Sequence, residues 1–267
     1  VAAGLLTAAG GATLLGSLAW LARRGIRARS HLGRERYRGP SVILLFVLAV
    51  AATNVLSLPV IVAALFAGAD PTDPGPEVTT VLLVMTPLIF GAVGGLFVLQ
   101  PGALAGVRFG DGSRTAGNVL RGVALGAVAW VLAALVAAAL GWVLLQLTGE
   151  EPTDSQVVAD MATTLPPIVA IALIGLLAPL AEEFFFRWVA VNAWEREHGT
   201  RAAVVGSAAL FGAAHVLGGS VLALPSIFLL GLILALAYVT TRSLPLVIGV
   251  HATFNCLSLA VLFLAGG

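Results

Sequence analysis

The chain has 267 residues, 59% of them hydrophobic and only 10% charged, with a mean hydropathy of +1.04. That excludes a soluble domain of this length, which needs far more polar surface, and the net charge of +1 points to no nucleic-acid partner. All 14 basic residues are arginine, and the single cysteine, Cys256, excludes an internal disulfide.

The apolar runs predict an all-α polytopic transmembrane helical bundle of about eight spans. They fall at roughly 1–22, 41–68, 79–100, 116–147, 167–194, 202–218, 221–240 and 245–264. The first run, "VAAGLLTAAGGATLLGSLAWLA", reads as a retained helix rather than a cleaved signal peptide, because the arginines follow it instead of preceding it. The next stretch, "RRGIRARSHLGRERYRGP", is strongly basic, with seven arginines between Arg23 and Arg38. Placing it in the cytoplasm puts Arg108, Arg114, Arg196, Arg201 and Arg242 on that side as well. The opposite loops then hold Asp70, Asp73, Glu77, Glu150, Glu151, Asp154 and Asp160 and no arginine. Between the fourth and fifth runs, Val157, Val158, Met161 and Leu165 stand at helical spacing behind Asp154 or Ser155 as N-cap. This predicts a short helix on the outer surface, either a plain connector or a gate. The chain divides into residues 1–164, N-terminal spans and variable loops, and residues 165–267, which hold the chemistry.

That chemistry begins at "AEEFFFRW", residues 181–188. A charge near the bilayer centre costs on the order of 3 kcal/mol, so Glu182, Glu183 and Arg187 need partners or a water-filled cavity. Glu183 and Arg187 are four apart and share a helix face, so they can pair. Glu182 is turned roughly 100° away and is left free. Pro179, one turn earlier, removes a hydrogen bond to the Gly175 carbonyl and loosens the helix before the carboxylates. The plain alternative is that the three charges only hold helices together.

Further polar residues weaken that alternative. His215 lies in "FGAAHV", and His251 and Asn255, on one face, lie in "HATFN". Each alone reads as a packing residue or interhelical glue. Measured from the cytoplasmic ends at ~1.5 Å per residue, however, all of them reach overlapping depths with Glu182. An acid, two imidazoles and an amide in one layer suit hydrolysis by activated water. A carboxylate takes a proton from water and returns it to the leaving amine, a histidine positions that water, and N–H donors receive the oxyanion. No serine or cysteine nucleophile is required.

At these residues the chain resembles the CAAX protease and bacteriocin-processing family. "EEFFFR", "FGAAH" and "HATFN" match its EExxxR, FxxxH and HxxxN motifs in order, and "FLLGLILALAYVTTRSLPLVIGVHATFN" resembles its last two core helices. The resemblance covers roughly residues 165–260 and implies a glutamate-type intramembrane endopeptidase like the type II CAAX prenyl proteases. Carried over by position, Glu182 is the general base and His215 its partner on the water. His251 and Asn255 form the oxyanion hole, and Glu183 and Arg187 support the site, with no cofactor and no metal. Trp188 departs from the pattern, since many relatives have glycine there; its indole either narrows substrate access or packs against lipid.

Three other readings compete. Zinc hydrolysis would use Glu182, His215 and His251 as ligands, although no HExxH is present. A scaffold or transporter would use the same residues for binding, and Cys256, beside Asn255, is a remote nucleophile. The expected partners are the lipid bilayer and a membrane-associated protein or peptide substrate, reached laterally or from the cytoplasmic side where His251 lies. Arginine-, alanine- and glycine-rich usage without lysine suggests a multi-pass protein of a bacterial plasma membrane.

Overall fold

A computed structural model describes residues 40–68, 76–98, 115–149, 165–216 and 223–265. These residues form seven helices, and no strand occurs among them. They are α1 (Val42–Phe66), α2 (Pro76–Val98), α3 (Thr115–Thr148), α4 (Pro167–His198), α5 (Thr200–Val216), α6 (Leu224–Thr241) and α7 (Leu244–Ala265). The all-α membrane bundle is therefore observed, and the protein is a multi-pass membrane protein.

The expected count of eight spans is not reached among the described residues. Among the described residues, five helices are long and apolar enough to cross a bilayer: α1, α3, α4, α6 and α7. Helix α5 has 17 residues, which at ~1.5 Å each falls short of a ~30 Å hydrocarbon layer. One face of it is buried, with Ala203, Ser207, Ala208, Phe211 and Gly212, whereas Val205 is 54% exposed. The apolar stretch of α2, Thr80–Leu96, is similarly short. The expected first span, the basic Arg23–Arg38 stretch, the acidic stretches 69–75 and 150–154 and the amphipathic stretch up to residue 164 lie outside the described residues, while Glu77, expected in a loop, falls in the first turn of α2.

Polar side chains on the lipid-facing helices turn back on their own backbone. In α1, Thr53 Oγ1 donates to the Ala49 carbonyl at 2.9 Å, Asn54 Nδ2 to Val50 at 2.8 Å and Ser57 Oγ to Asn54 at 2.9 Å. Such bonds satisfy groups that a bilayer cannot solvate.

Small residues set the closest helix pairing. Gly122 and Gly126 of α3 are four apart and buried on one face with Ala129 and Ala133. A Cβ at Gly122 would run into the Leu246 carbonyl of α7, and one at Gly126 would lie 2.5 Å from the Val250 carbonyl. The two backbones therefore pack at a distance only glycine allows. Trp130 Nε1 donates to Ser258 Oγ at 3.1 Å and Asn118 Nδ2 to Ser243 Oγ at 2.9 Å, which fixes the register of the same pair.

Helix α4 is not uniform. Its central α-helical turns, Ala178–Glu183, are flanked by π-helical stretches at Ile171–Leu177 and Phe184–Val191. The loosening expected at Pro179 is thus present, but as a wider register. The Ala178 N–H reaches back five residues to the Leu173 carbonyl, so the donor missing at Pro179 is the one that would serve Ile174. Helix α4 ends at Gly199, whose φ of +82° suits glycine, and α5 starts directly after it. Arg242 closes α6 in a left-handed conformation at φ 52°. Its guanidinium contacts both oxygens of Glu195 at 2.6 and 2.8 Å, so the α4–α5 and α6–α7 connections meet at one end of the bundle.

Candidate active site

The site is built where α4, α5 and α7 meet above an aromatic core. Phe46 of α1 and Phe90 of α2 stand 5.6 Å apart edge to face, and Phe90 contacts Phe185 at 5.0 Å and Phe186 at 5.5 Å. Phe186 continues to Phe211 at 5.4 Å. Two of the three phenylalanines of "EEFFFR" are therefore the floor that holds the charged residues. Ser207 Oγ pins α5 to this floor by donating to the Phe186 carbonyl at 2.8 Å.

Glu183 and Arg187 are both fully buried, and Glu183 Oε2 lies 3.2 Å from Arg187 Nε. The expected i, i+4 pair is present. Arg187 also lies over the Phe211 ring, 4.6 Å from its centroid, and its Nη2 reaches the Gly231 carbonyl of α6 at 3.5 Å. The cation is thus held by one carboxylate, an aromatic face and a carbonyl, as a charge in a lipid-surrounded interior must be. The other oxygen of Glu183 accepts a hydrogen bond from His251 Nδ1 at 2.9 Å. Both of its oxygens are therefore committed.

Glu182 points elsewhere. Its Oε2 lies 4.0 Å from His215 Nε2 and 3.9 Å from His251 Nε2. His215 is oriented by its own helix, since Nδ1 donates to the Phe211 carbonyl at 2.8 Å. Both imidazoles thus spend their Nδ1–H groups on acceptors, which turns both Nε2 atoms toward the Glu182 carboxylate. Phe211 packs beneath them, 4.6 Å from the His215 ring and 5.4 Å from the His251 ring. Phe211 is the first residue of the "FGAAH" motif, and its spacing of four from His215 is the signal that marks it.

Asn255 sits one turn beyond His251 on α7, and its Nδ2 donates to the Ile174 carbonyl of α4 at 2.8 Å. One of its two N–H groups is therefore occupied by backbone. His251 is 2% exposed, whereas the side chains of Glu182 and His215 are 16% and 32% exposed. The more exposed edge of the site therefore lies at Glu182 and His215. Trp188 is 4% exposed and stacks on Phe184 with centroids 5.3 Å apart. Its packing is against protein, which removes the lipid-facing reading. Cys256 lies against α4, where a Cβ at Gly175 would come within 2.8 Å of its Sγ.

Four of the six singled-out residues thus form one connected chain, Arg187–Glu183–His251–Glu182, with His215 on its far side and Asn255 anchored one turn away. Among the described residues, no three His, Cys, Asp or Glu side chains converge as a metal-ligand set.

Residues 164–257 match the family described as type II CAAX prenyl endopeptidase, Rce1-like. Comparison with curated proteins and with solved structures found no match. The matched segment contains every residue of the cluster, from Glu182 to Asn255. Over residues 164–257, then, this multi-pass chain is similar to the CAAX protease family of membrane-embedded hydrolases.

Proposed function

We propose that this chain is a glutamate-dependent endopeptidase that cuts membrane-anchored peptides with an activated water. The observation that carries the reading is the division of labour between neighbouring carboxylates. Glu183 is engaged by the Arg187 ion pair and the His251 hydrogen bond, while Glu182 faces two imidazole Nε2 atoms at 3.9 and 4.0 Å. Those separations are too long for direct hydrogen bonds and short enough for one water to bridge.

In this mechanism Glu182 Oε2 takes a proton from the water as its oxygen attacks the scissile carbonyl carbon. His215 Nε2 accepts the water's other hydrogen and holds its direction. The oxyanion that forms receives the second N–H of Asn255 Nδ2. His251 adds a donor through Nε2 in its doubly protonated form, because its Nδ1–H is already given to Glu183. When the C–N bond breaks, Glu182 returns its proton to the departing amine, so acid and base roles fall to one residue. Arg187 and Glu183 keep His251 in place. With the arginine-bearing end of the bundle in the cytoplasm, substrate reaches this site from within the bilayer, along the Glu182–His215 edge.

The test compares membrane peptides in cells carrying the intact protein or its Glu182→Gln variant. The expected result is a fragment produced only by the intact protein, with activity on an isolated substrate reduced by roughly 10²–10⁴-fold in the variant. A normally folded variant that keeps full activity removes the base and, with it, the mechanism.

A second reading has one observation in its favour. Both Nδ1–H groups are committed to oxygen acceptors, which is how metal-binding histidines are oriented. Against it, donors at 3.9 and 4.0 Å are wider than the ~3.4 Å that tetrahedral zinc with bonds of about 2.0–2.1 Å requires. Chelator sensitivity restored by zinc would favour this reading; activity that survives exhaustive chelation favours water activated by Glu182.

A further inference from the structure

We infer that Pro179 is a positioning residue for the reaction: by withholding a backbone donor it leaves the Ile174 carbonyl free to anchor and aim the Asn255 amide. Three independent features meet at this point. The first is the register of α4. Ile171–Leu177 is π-helical, and the Ala178 N–H bonds to the Leu173 carbonyl five residues back. In that register the next donor belongs to residue 179 and its acceptor is the carbonyl of Ile174. Proline has no N–H, so the intrahelical bond to Ile174 cannot form. A carbonyl so released inside a membrane protein must find another donor.

The second feature is the donor itself. Asn255 Nδ2 of α7 lies 2.8 Å from the Ile174 oxygen, and Pro179 is buried within the same helix. The third is the space that lets α7 come close enough. Gly175, adjacent to Ile174, has no side chain, and a Cβ there would collide with Cys256 Sγ, the residue adjacent to Asn255. A missing N–H and a missing Cβ on α4 thus face consecutive residues on α7.

The consequence is geometric. A planar carboxamide held by one N–H has its second N–H direction fixed, on the same helix face as His251 one turn earlier. Were residue 179 to carry an N–H, the Ile174 carbonyl would regain an intrahelical partner, and the amide would lose both its anchor and its aim. The inference rests on the reading of Asn255 as an oxyanion donor for its effect on rate, but not for its effect on the amide.

Two variants separate the missing donor from the proline ring. Pro179→Ala supplies an N–H. Replacement of Pro179 by lactic acid, the ester counterpart of alanine, removes both ring and N–H. Neither introduces a helix breaker, so both are expected to fold. The structural readout is the side-chain amide signal of Asn255 in protein labelled with ¹⁵N-asparagine, assigned by its loss in Asn255→Ala. In the alanine variant the hydrogen-bonded proton moves upfield toward its free position; in the ester variant it stays as in the unmodified protein. The kinetic readout is kcat, lowered about tenfold to a hundredfold in Pro179→Ala with KM unchanged, and retained in the ester. Combining Pro179→Ala with Asn255→Ala gives no loss beyond that of Asn255→Ala alone.

An Asn255 signal that is the same in all three proteins overturns the inference. So does equal loss of kcat in the alanine and ester variants, which would assign the effect to the ring. If the amide moves as expected but the intact protein cleaves no peptide, the anchoring stands and the proposed function fails.

Discussion

Replacing Arg187 by methionine tests whether the buried charges act as one unit. The substitution keeps much of the side-chain volume but removes the cation 3.2 Å from Glu183, its contact 4.6 Å over the Phe211 ring and its bond to the Gly231 carbonyl. Glu183 has no exposed surface, so its carboxylate is left with only the His251 Nδ1–H. Orphaning one member of a buried pair costs about 3–5 kcal/mol, a large part of the stability of a typical domain. Removing both charges in Glu183→Gln/Arg187→Met leaves a neutral amide whose oxygen still accepts from His251, and this costs only ~1–2 kcal/mol. The double variant is therefore more stable than Arg187→Met alone, with a coupling of roughly 2 kcal/mol or more. Denaturant titration of the detergent-solubilised protein, followed by tryptophan fluorescence, measures all four corners of the cycle. An Arg187→Met variant within about 1 kcal/mol of the starting protein, or single costs that simply add in the double variant, refutes the reasoning.

Three further outcomes are expected. Gly122→Ala drives a Cβ into the Leu246 carbonyl and lowers stability by about 1–3 kcal/mol, whereas Gly117→Ala, in open space on the same helix, is neutral or slightly stabilising; melting curves of the two distinguish them. Gly175→Ala meets Cys256 Sγ at 2.8 Å and melts earlier, and adding Cys256→Ala restores the melting temperature. Cys256→Ala alone keeps full activity and makes it indifferent to thiol alkylation, as a packing residue does. Arg242→Gln breaks the pair with Glu195, whose members are 47% and 21% exposed, and costs less than ~1 kcal/mol in thermal unfolding; a larger loss would mean that this end of the bundle is more deeply coupled than its exposure implies.

Composition alone determines that this is an all-α membrane protein, because long apolar runs in a chain with 10% charge have no other stable form. Helical periodicity also determines relations within one helix. It pairs Glu183 with Arg187, turns Glu182 away from them, and puts His251 and Asn255 on a common face. Relations between helices were not legible in the same way. That His251 gives one nitrogen to Glu183 and turns the other to Glu182 depends on how α7 seats between α3 and α4, where Gly122 and Gly126 of α3 admit the α7 backbone and Gly175 of α4 makes room for the Cys256 side chain. The "GVALG" spacing of Gly122 and Gly126 puts two glycines on one face but names no partner helix. Which acceptor the donor lost at Pro179 would have served depended on α4 running in a wide register, and Trp188 turned inward because Phe184 and the neighbouring helices enclose it. Hydropathy also does not measure helix length: the 17-residue α5 is apolar but shorter than the helices that can span. A period fixes angles around one axis, and only packing fixes the distances between axes on which this chemistry depends.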